Sequence, residues 1–267
     1  MNDQQQDKEF LAQEAYDDAA ALNTREHIQE HYGSHQEPWH RWLWEHMHSR
    51  PGMRWLDLGC GPAHLWWKQA GVLPEGSRVV LTDLSPGMVR AARTNLPGAG
   101  PTFAFLVGDS EALPLAGGQF DAIVALGLLD HLPQLDAVLQ QVRRLLRPHG
   151  FFYASAGGRR HLMELEALVR PFLPEASYGG ESAAFGLENG AERLERAFRH
   201  VALYPYEDEL VFREVEPLIA YARSEAGAAR QLRGERLAGF RQSLSAILKD
   251  SGAIRVTRQK GLFAAQL

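Results

Sequence analysis

The amino-acid sequence predicts an α/β chain built on a mostly parallel sheet with helices on both faces. Three observations carry this prediction. Short runs that are apolar throughout alternate with helical stretches between about residues 53 and 155, and a strand apolar on both sides needs cover on both. A glycine-rich turn joins the first such run to the helix after it, which is where parallel sheets bind ligands. At 267 residues, 45% of them hydrophobic, the chain can fill a core of that kind.

Each element has its own signal. Asn23 or Thr24 is placed to cap a helix through His31, Gly33-Ser34 breaks it, and Pro38 opens the next. These helices make an expected N-terminal cap segment over residues 1–50. Composition sets that region apart, since all six tryptophans and seven of the eleven histidines lie before residue 68. Pro51-Gly52 marks the boundary to an expected second unit, 51–267. Trp55 to Leu58 is the first strand, His64 to Ala70 a short helix, and Val79 to Thr82 the second strand. Pro86 begins a helix with Met88, Val89, Ala92 and Leu96 on one face, followed by strands Phe103–Val107 and Phe120–Leu126.

The clearest helix carries Leu135, Val138, Leu139, Val142, Leu145 and Leu146 at helical spacing and is expected to end at Pro148-His149-Gly150. Phe151 to Ala154 is the fifth strand. Asn189 with Glu192 reads as a capping box opening a helix to Phe198. Strands at His200–Pro205 and Glu209–Phe212, helices at Val215–Ser224 and Ala229–Lys249, and a closing strand at Ile254–Phe263 complete the expectation. The second of these helices places Leu237, Phe240, Leu244 and Ile247 on one stripe.

Composition excludes several classes. A lone cysteine, Cys60, rules out an internal disulfide framework and points to a reducing, cytoplasmic setting. The polar opening, Met1 to Glu9, predicts no secretory leader, and no apolar run approaches the ~18 residues of a membrane span. A net charge of -5 argues against gripping long nucleic acid by its phosphates.

The chemistry concentrates in Asp57-Leu58-Gly59-Cys60-Gly61-Pro62-Ala63. Glycines after a strand let backbone N–H groups approach a ligand closely. A dinucleotide fingerprint would want glycine where His64 stands, and Asp57 suits an ammonium group better than a pyrophosphate. Asp83, at the expected end of the second strand, can accept both hydroxyls of a ribose. Asp109 follows the third strand and can accept from an adenine amino group. Any one aspartate could be a helix cap, but three at successive strand ends describe a nucleoside-shaped pocket.

These segments resemble the class I S-adenosylmethionine-dependent methyltransferases, in particular the branch acting on small molecules. Leu56 to Pro62 is similar to the family's first motif, Thr82-Asp83-Leu84-Ser85-Pro86-Gly87-Met88 to the second-strand motif, and Gly108 to Leu115 to the adenine-side motif. Phe120 to Val124 with Leu129-Asp130-His131-Leu132-Pro133, and Leu145 to Gly150, match the segments that follow. There are two departures: Ala63 stands where many relatives carry a third glycine, its methyl expected near the cofactor, and His149 replaces a frequent glycine, expected on the surface.

The resemblance implies a Rossmann-like seven-stranded sheet with an antiparallel last strand, and S-adenosylmethionine as cofactor, leaving S-adenosylhomocysteine. It assigns the methionine end to Asp57 and the Gly59, Cys60, Gly61 backbone, the ribose to Asp83, and the adenine faces to Leu84 and Met88. Asp109 and Ser110 would read the adenine edge, and Leu126 and Gly127 would floor the sulfonium. The expected reaction is transfer of the methyl to O, N or C of a small molecule by in-line displacement. Methylation of RNA or protein and cofactor binding without catalysis are the alternative readings.

His131, in the loop after the fourth strand, is the candidate base. Tyr32, His35, Trp39 and Trp42 either close the acceptor cavity as a lid or pack as an ordinary amphipathic helix. His27, His31 and His35 stand at i, i+4 and i+8, yet Gly33 interrupts the helix and no cysteine assists, so no metal is expected. A helical insertion at about 211–251 is expected to form the other wall of the acceptor site. Tyr178, Tyr204, Tyr206 and Tyr221 are further candidates to face the acceptor.

Overall fold

Strands β1 (Arg54–Leu58), β2 (Arg78–Asp83), β3 (Phe103–Val107), β4 (Phe120–Leu126), β5 (Leu146–Gly157), β6 (His200–Phe212) and β7 (Ile254–Gln266) form one sheet in the order β3-β2-β1-β4-β5-β7-β6. The computed structural model describes residues 18–96, 102–174, 176, 178, 184–225 and 227–267. The first 17 residues of the expected cap segment, and residue 226 of the expected insertion, lie outside them. Strands β1 to β5 run parallel, and β7 is antiparallel to both β5 and β6. The chain therefore has the Rossmann-like architecture with the reversed last strand.

Helices cover both faces. On one, α5 (Leu135–Leu145) buries the whole stripe from Leu135 to Leu145 against Ile123, Phe152 and Phe263. The other face receives α2 (Trp39–Glu45), α3 (His64–Gln69) and α4 (Pro86–Asn95), where Trp55 and Trp66 are fully enclosed. A third apolar cluster joins α1 (Ala20–Tyr32) and α6 (Met163–Val169) to α8 (Val215–Arg223), α9 (Ala228–Gln231) and α10 (Gly234–Ser251), with α7 (Gly190–Glu195) lying nearer the main sheet. The support for this cluster is the length of the last two strands. β6 and β7 pair over all 13 residues of each, whereas β5 meets β7 only from Phe151 to Gly157. Their outer halves project past the C-terminal edge of the parallel strands, and Leu210, Phe212, Ile254 and Val256 there are buried under the helices.

Several sequence expectations are corrected. α1 starts at Ala20; Thr24 Oγ1 donates back to the Ala20 carbonyl, and Asn23 Oδ1 instead bonds His64 Nε2 at 2.7 Å. α5 ends at Leu145, because Leu146 already pairs with Phe120; the register then shifts before Phe151 pairs with Ala122. His149, in a left-handed conformation at φ +64°, makes that turn on the exposed surface. The two strands expected from His200 to Phe212 are one, since Pro205 sits on an edge strand, where a missing N–H is tolerated. The helix expected from Ala229 breaks at Gly234, whose φ is +55°. Asn189 precedes α7 without a side-chain cap bond, its Oδ1 accepting the Gly186 N–H at 2.7 Å.

Candidate active site

A cavity open to solvent lies at the C-terminal ends of β1, β2 and β4. Asp57, in β1, is buried there and accepts the Trp66 indole N–H at 2.7 Å. Burial pushes its carboxyl up to about 8; the Trp66 bond opposes the shift and the nearby Asp83 charge adds to it. Gly59 (φ +65°) and Gly61 (φ +52°) hold the following turn in left-handed conformations. A Cβ on Gly59 would stand 2.9 Å from Leu128 Cδ1, the tip of a movable side chain, so it is the left-handed backbone that favours glycine. Cys60 N–H donates to the Thr82 carbonyl at 2.8 Å, and Thr82 Oγ1 donates to the Asp57 carbonyl at 2.8 Å, tying the turn to β2. Burial raises the Cys60 thiol well above its usual range.

Ala63 also adopts a left-handed conformation, φ +62°. For a residue with a Cβ this costs roughly 1–2 kcal/mol. Its methyl lies in the apolar core with Trp55, Leu65 and Trp66 rather than beside the cavity, which corrects the expectation from sequence.

Asp83 ends β2 with both oxygens engaged: Oδ2 accepts Gly61 N–H at 2.9 Å and Oδ1 accepts Ser85 N–H at 2.8 Å. Burial raises its carboxyl, against those backbone donors. Leu84 N–H also donates to this carboxylate, which leaves about one of its roughly four lone-pair positions for a bound hydroxyl. Leu84 and Met88 line the same wall, Met88 at the start of α4 where Ser85 Oγ accepts its N–H. Asp109 and Ser110 close the far side, with Asp109 Oδ1 accepting Glu111 N–H at 2.9 Å. Leu126 and Gly127 form the floor, and Ser155 Oγ of β5 accepts the Gly127 N–H at 3.0 Å. Three carboxylates around a turn that excludes side chains match an adenosyl ligand with an amino-acid tail.

His131 lines the cavity at the end of a 3-10 turn, with its Nε2 3.9 Å from Asp130 Oδ2. Three wall residues carry no such signal in the sequence. Leu22 comes from α1, His40 from α2 and His64 from the start of α3. Burial pushes the His64 imidazole down to about 4, so it is neutral. His40 Nδ1 lies 2.9 Å from Glu26 Oε1 on α1, and Lys68 of α3 contacts Glu26 and Glu30. Burial raises the Glu26 carboxyl, but His40 and Lys68 more than offset it and hold the group well below the usual carboxylate range.

Other candidates lie elsewhere. Trp39 and Trp42 stack on each other at 5.5 Å and pack edge-on to Tyr206; His35 sits against the same ring at 4.3 Å, and Tyr32 stacks on Phe212. None of the four lines the cavity, and their contacts are those of aromatic packing between the cap and the sheet. Among the described residues, the 211–251 segment contributes no lining residue either, because it packs on the projecting halves of β6 and β7. The Tyr178 and Tyr206 hydroxyls donate to the Ala222 and Glu37 carbonyls, the Tyr221 hydroxyl accepts from Gln29 Nε2, and Tyr204 packs by His46. His27 and His31 stack on α1, with His35 beyond the helix end. Among the described residues, the group with metal-ligand spacing is Glu26, Glu30 and His40, and Lys68 already places its ammonium between the two carboxylates.

Comparison with known proteins agrees with this geometry. Residues 56–150 match the family described as a methyltransferase domain. The chain is 34% identical over 196 residues to malonyl-[acyl-carrier protein] O-methyltransferase of Geobacter sulfurreducens, covering 70% of this chain and 72% of that protein. It is 33% identical over 114 residues to a ubiquinone/menaquinone biosynthesis C-methyltransferase of a Shewanella species, spanning 42% of this chain and 45% of the relative. Among solved structures, phosphoethanolamine N-methyltransferase 2 of Haemonchus contortus, in complex with S-adenosyl-L-methionine, superposes with a TM-score of 0.60. That similarity covers 97% of this chain and 59% of the other at 17% identity.

Proposed function

Since the chain belongs to the class I S-adenosylmethionine-dependent methyltransferases, we propose that it methylates a small molecule on oxygen, nitrogen or carbon by in-line displacement. The observation that carries this reading is the part of the cavity lining left over once the cofactor roles are assigned. It comprises Leu22 of α1, His40 of α2, and Leu128, His131 and Leu132 after β4. A concave, largely apolar space with a few polar groups suits a small acceptor rather than a nucleic-acid or polypeptide chain. The two relatives carry the methyl to different atoms by their names, so the acceptor is decided by these walls and not by the shared sheet.

Bound S-adenosylmethionine supplies the activated methyl and its leaving group. The chain supplies position. In this reading Asp57 and the Gly59, Cys60, Gly61 backbone hold the methionine end, Asp83 takes the ribose hydroxyls, and Leu84 and Met88 sandwich the adenine. Asp109 and the Ser110 backbone read its edge. Leu126 and Gly127 fix the depth of the reacting centre, and α1 with α2 excludes water from it. His131 is placed to meet the acceptor. No described helix is long and apolar enough to cross a membrane, and the lone Cys60 supports a reducing, cytoplasmic setting.

Calorimetry with S-adenosylhomocysteine, followed by an acceptor screen using methyl-labelled S-adenosylmethionine, tests the proposal. Binding together with label transfer to small molecules is the expected result. Binding without transfer to any acceptor would favour a non-catalytic role, and label in RNA or protein would favour a macromolecular acceptor. Absence of binding would remove the reading.

A further inference from the structure

We infer that His40, oriented by Glu26, is the general base of the reaction, so that the acceptor is a protic nucleophile: a hydroxyl, an amine or an acidic C–H. This rests on the methyl-transfer reading and deepens it. His40 is 8% exposed and lines the cavity. Its Nδ1 is sealed from solvent 2.9 Å from Glu26 Oε1, in an ion-pair contact whose N–H is not yet aligned as a hydrogen bond. Such contacts tighten when a ligand fills the site. A carboxylate behind Nδ1 selects the tautomer that carries its proton there, which leaves Nε2 as the lone pair presented to a bound molecule.

The surroundings keep Glu26 charged for that task. Lys68 of α3 contacts both Glu26 and Glu30, and Glu26 stays ionised despite its burial. Lys68 thereby takes the position a metal ion would need among Glu26, Glu30 and His40, and the arrangement is a base with its orienting carboxylate. Of the other cavity histidines, His64 gives its Nε2 to Asn23. In the transfer, the acceptor's electron pair forms the bond to the methyl carbon, the carbon–sulfur pair stays on sulfur as a neutral thioether, and the acceptor's proton passes to His40 Nε2. Glu26 stabilises the resulting imidazolium, which returns its proton to water after product leaves. A carboxylate acceptor would need no such group.

Two readouts test this. The first needs no acceptor: ¹⁵N NMR of the full chain with S-adenosylhomocysteine should find His40 as the Nδ1–H tautomer, a preference lost in Glu26→Gln. An Nε2–H tautomer in the wild type would overturn the assignment. The second uses methyl-labelled S-adenosylmethionine with a phenol, a primary amine, a 1,3-dicarbonyl and a carboxylic acid. His40→Gln should lower kcat on the protic acceptors by roughly 10²–10⁴-fold while S-adenosylhomocysteine affinity stays within about twofold. His131→Ala should cost less. Glu26→Gln should displace the acidic limb of the kcat–pH profile, and Glu26→Asp should restore part of it. The titratable groups that bear on that limb are Glu26 of α1 and the neutral His64 of α3 beside His40, with Lys68, Glu30 and Lys260 clustered about Glu26. Transfer confined to the carboxylic acid and untouched in His40→Gln, or a larger loss in His131→Ala, would refute the base. Failure of the wild type to bind S-adenosylhomocysteine would instead refute the methyl-transfer reading on which it stands.

Discussion

Between its unfolded value near 3.8 and about 8, Asp57 is protonated in the folded chain and ionised in the unfolded one. Its contribution to stability is therefore greatest at low pH and falls as pH rises through that window. An ammonium group arriving at Asp57 reverses the preference and expels the proton. Binding of S-adenosylhomocysteine at pH 7 should then release a proton, seen as a calorimetric heat that depends on the buffer's ionisation enthalpy. Affinity should rise from pH 6 toward 8, and Asp57→Asn should abolish both effects; a flat pH profile in the wild type would contradict this role. Asp83 acts differently, because its oxygens also hold the Gly61 and Ser85 N–H groups. Asp83→Ala should weaken S-adenosylhomocysteine binding about 10–100-fold, the loss of one or two charge-assisted hydrogen bonds, with Asp83→Asn in between. Both aspartates were visible in the sequence because they sit at fixed offsets from glycines and strand ends. Leu22 and His40 were not, since neither the periodicity of α1 nor that of α2 says which residue overhangs a cavity formed by distant strands.

Two side chains fasten the cap to the sheet. Asp208 of β6 lies 3.0 Å from Arg258 of β7, both almost wholly buried. Asp208 Oδ1 accepts the N–H groups of Ser34 and His35 at 2.8 Å each, and Arg258 donates to the Gln29 carbonyl at 3.0 Å. The turn after α1 is thus nailed to the projecting strands, and Gly33 permits it, since a Cβ there would stand 2.7 Å from the Gln29 carbonyl. Asp208→Ala leaves a buried guanidinium uncompensated and should destabilise the chain by ~3–5 kcal/mol, measured by urea denaturation. It should also raise the rate at which limited proteolysis cuts between residues 33 and 38. Equal proteolysis rates in the variant and the wild type would show that the pair does not hold the cap. The helices themselves were legible from the break at Gly33 and the opening at Pro38. Their anchorage was not, because Asp208 and Arg258 read as ordinary charges on strands until β6 and β7 lie side by side.

Across the whole molecule, cofactor binding and folding are linked, because the site is assembled from β1, β2, β4, α1, α2 and α3 and exists only in the folded chain. S-adenosylhomocysteine at one hundred times its Kd should stabilise the fold by ~2.7 kcal/mol. For a chain of this size that corresponds to a rise in Tm of roughly 5–10 °C. A nicotinamide dinucleotide should give no rise, since the turn carries His64 where its fingerprint needs a glycine. A shift with the dinucleotide and none with S-adenosylhomocysteine would reverse the assignment of the site.

By itself the sequence determined the alternation of strands and helices, the glycine turn, and the three acidic strand ends, because each depends on residues close together along the chain. Only the tertiary structure decided that α1 and α2 roof the cavity, that the segment from 211 to 251 packs away from it, and that Glu26 stands behind His40. The reason is physical: those outcomes are set by the 13-residue strands β6 and β7, which outreach β5 and give the cap and the C-terminal helices a surface to bury. Contacts of that range leave no period, spacing or motif in the residues that make them.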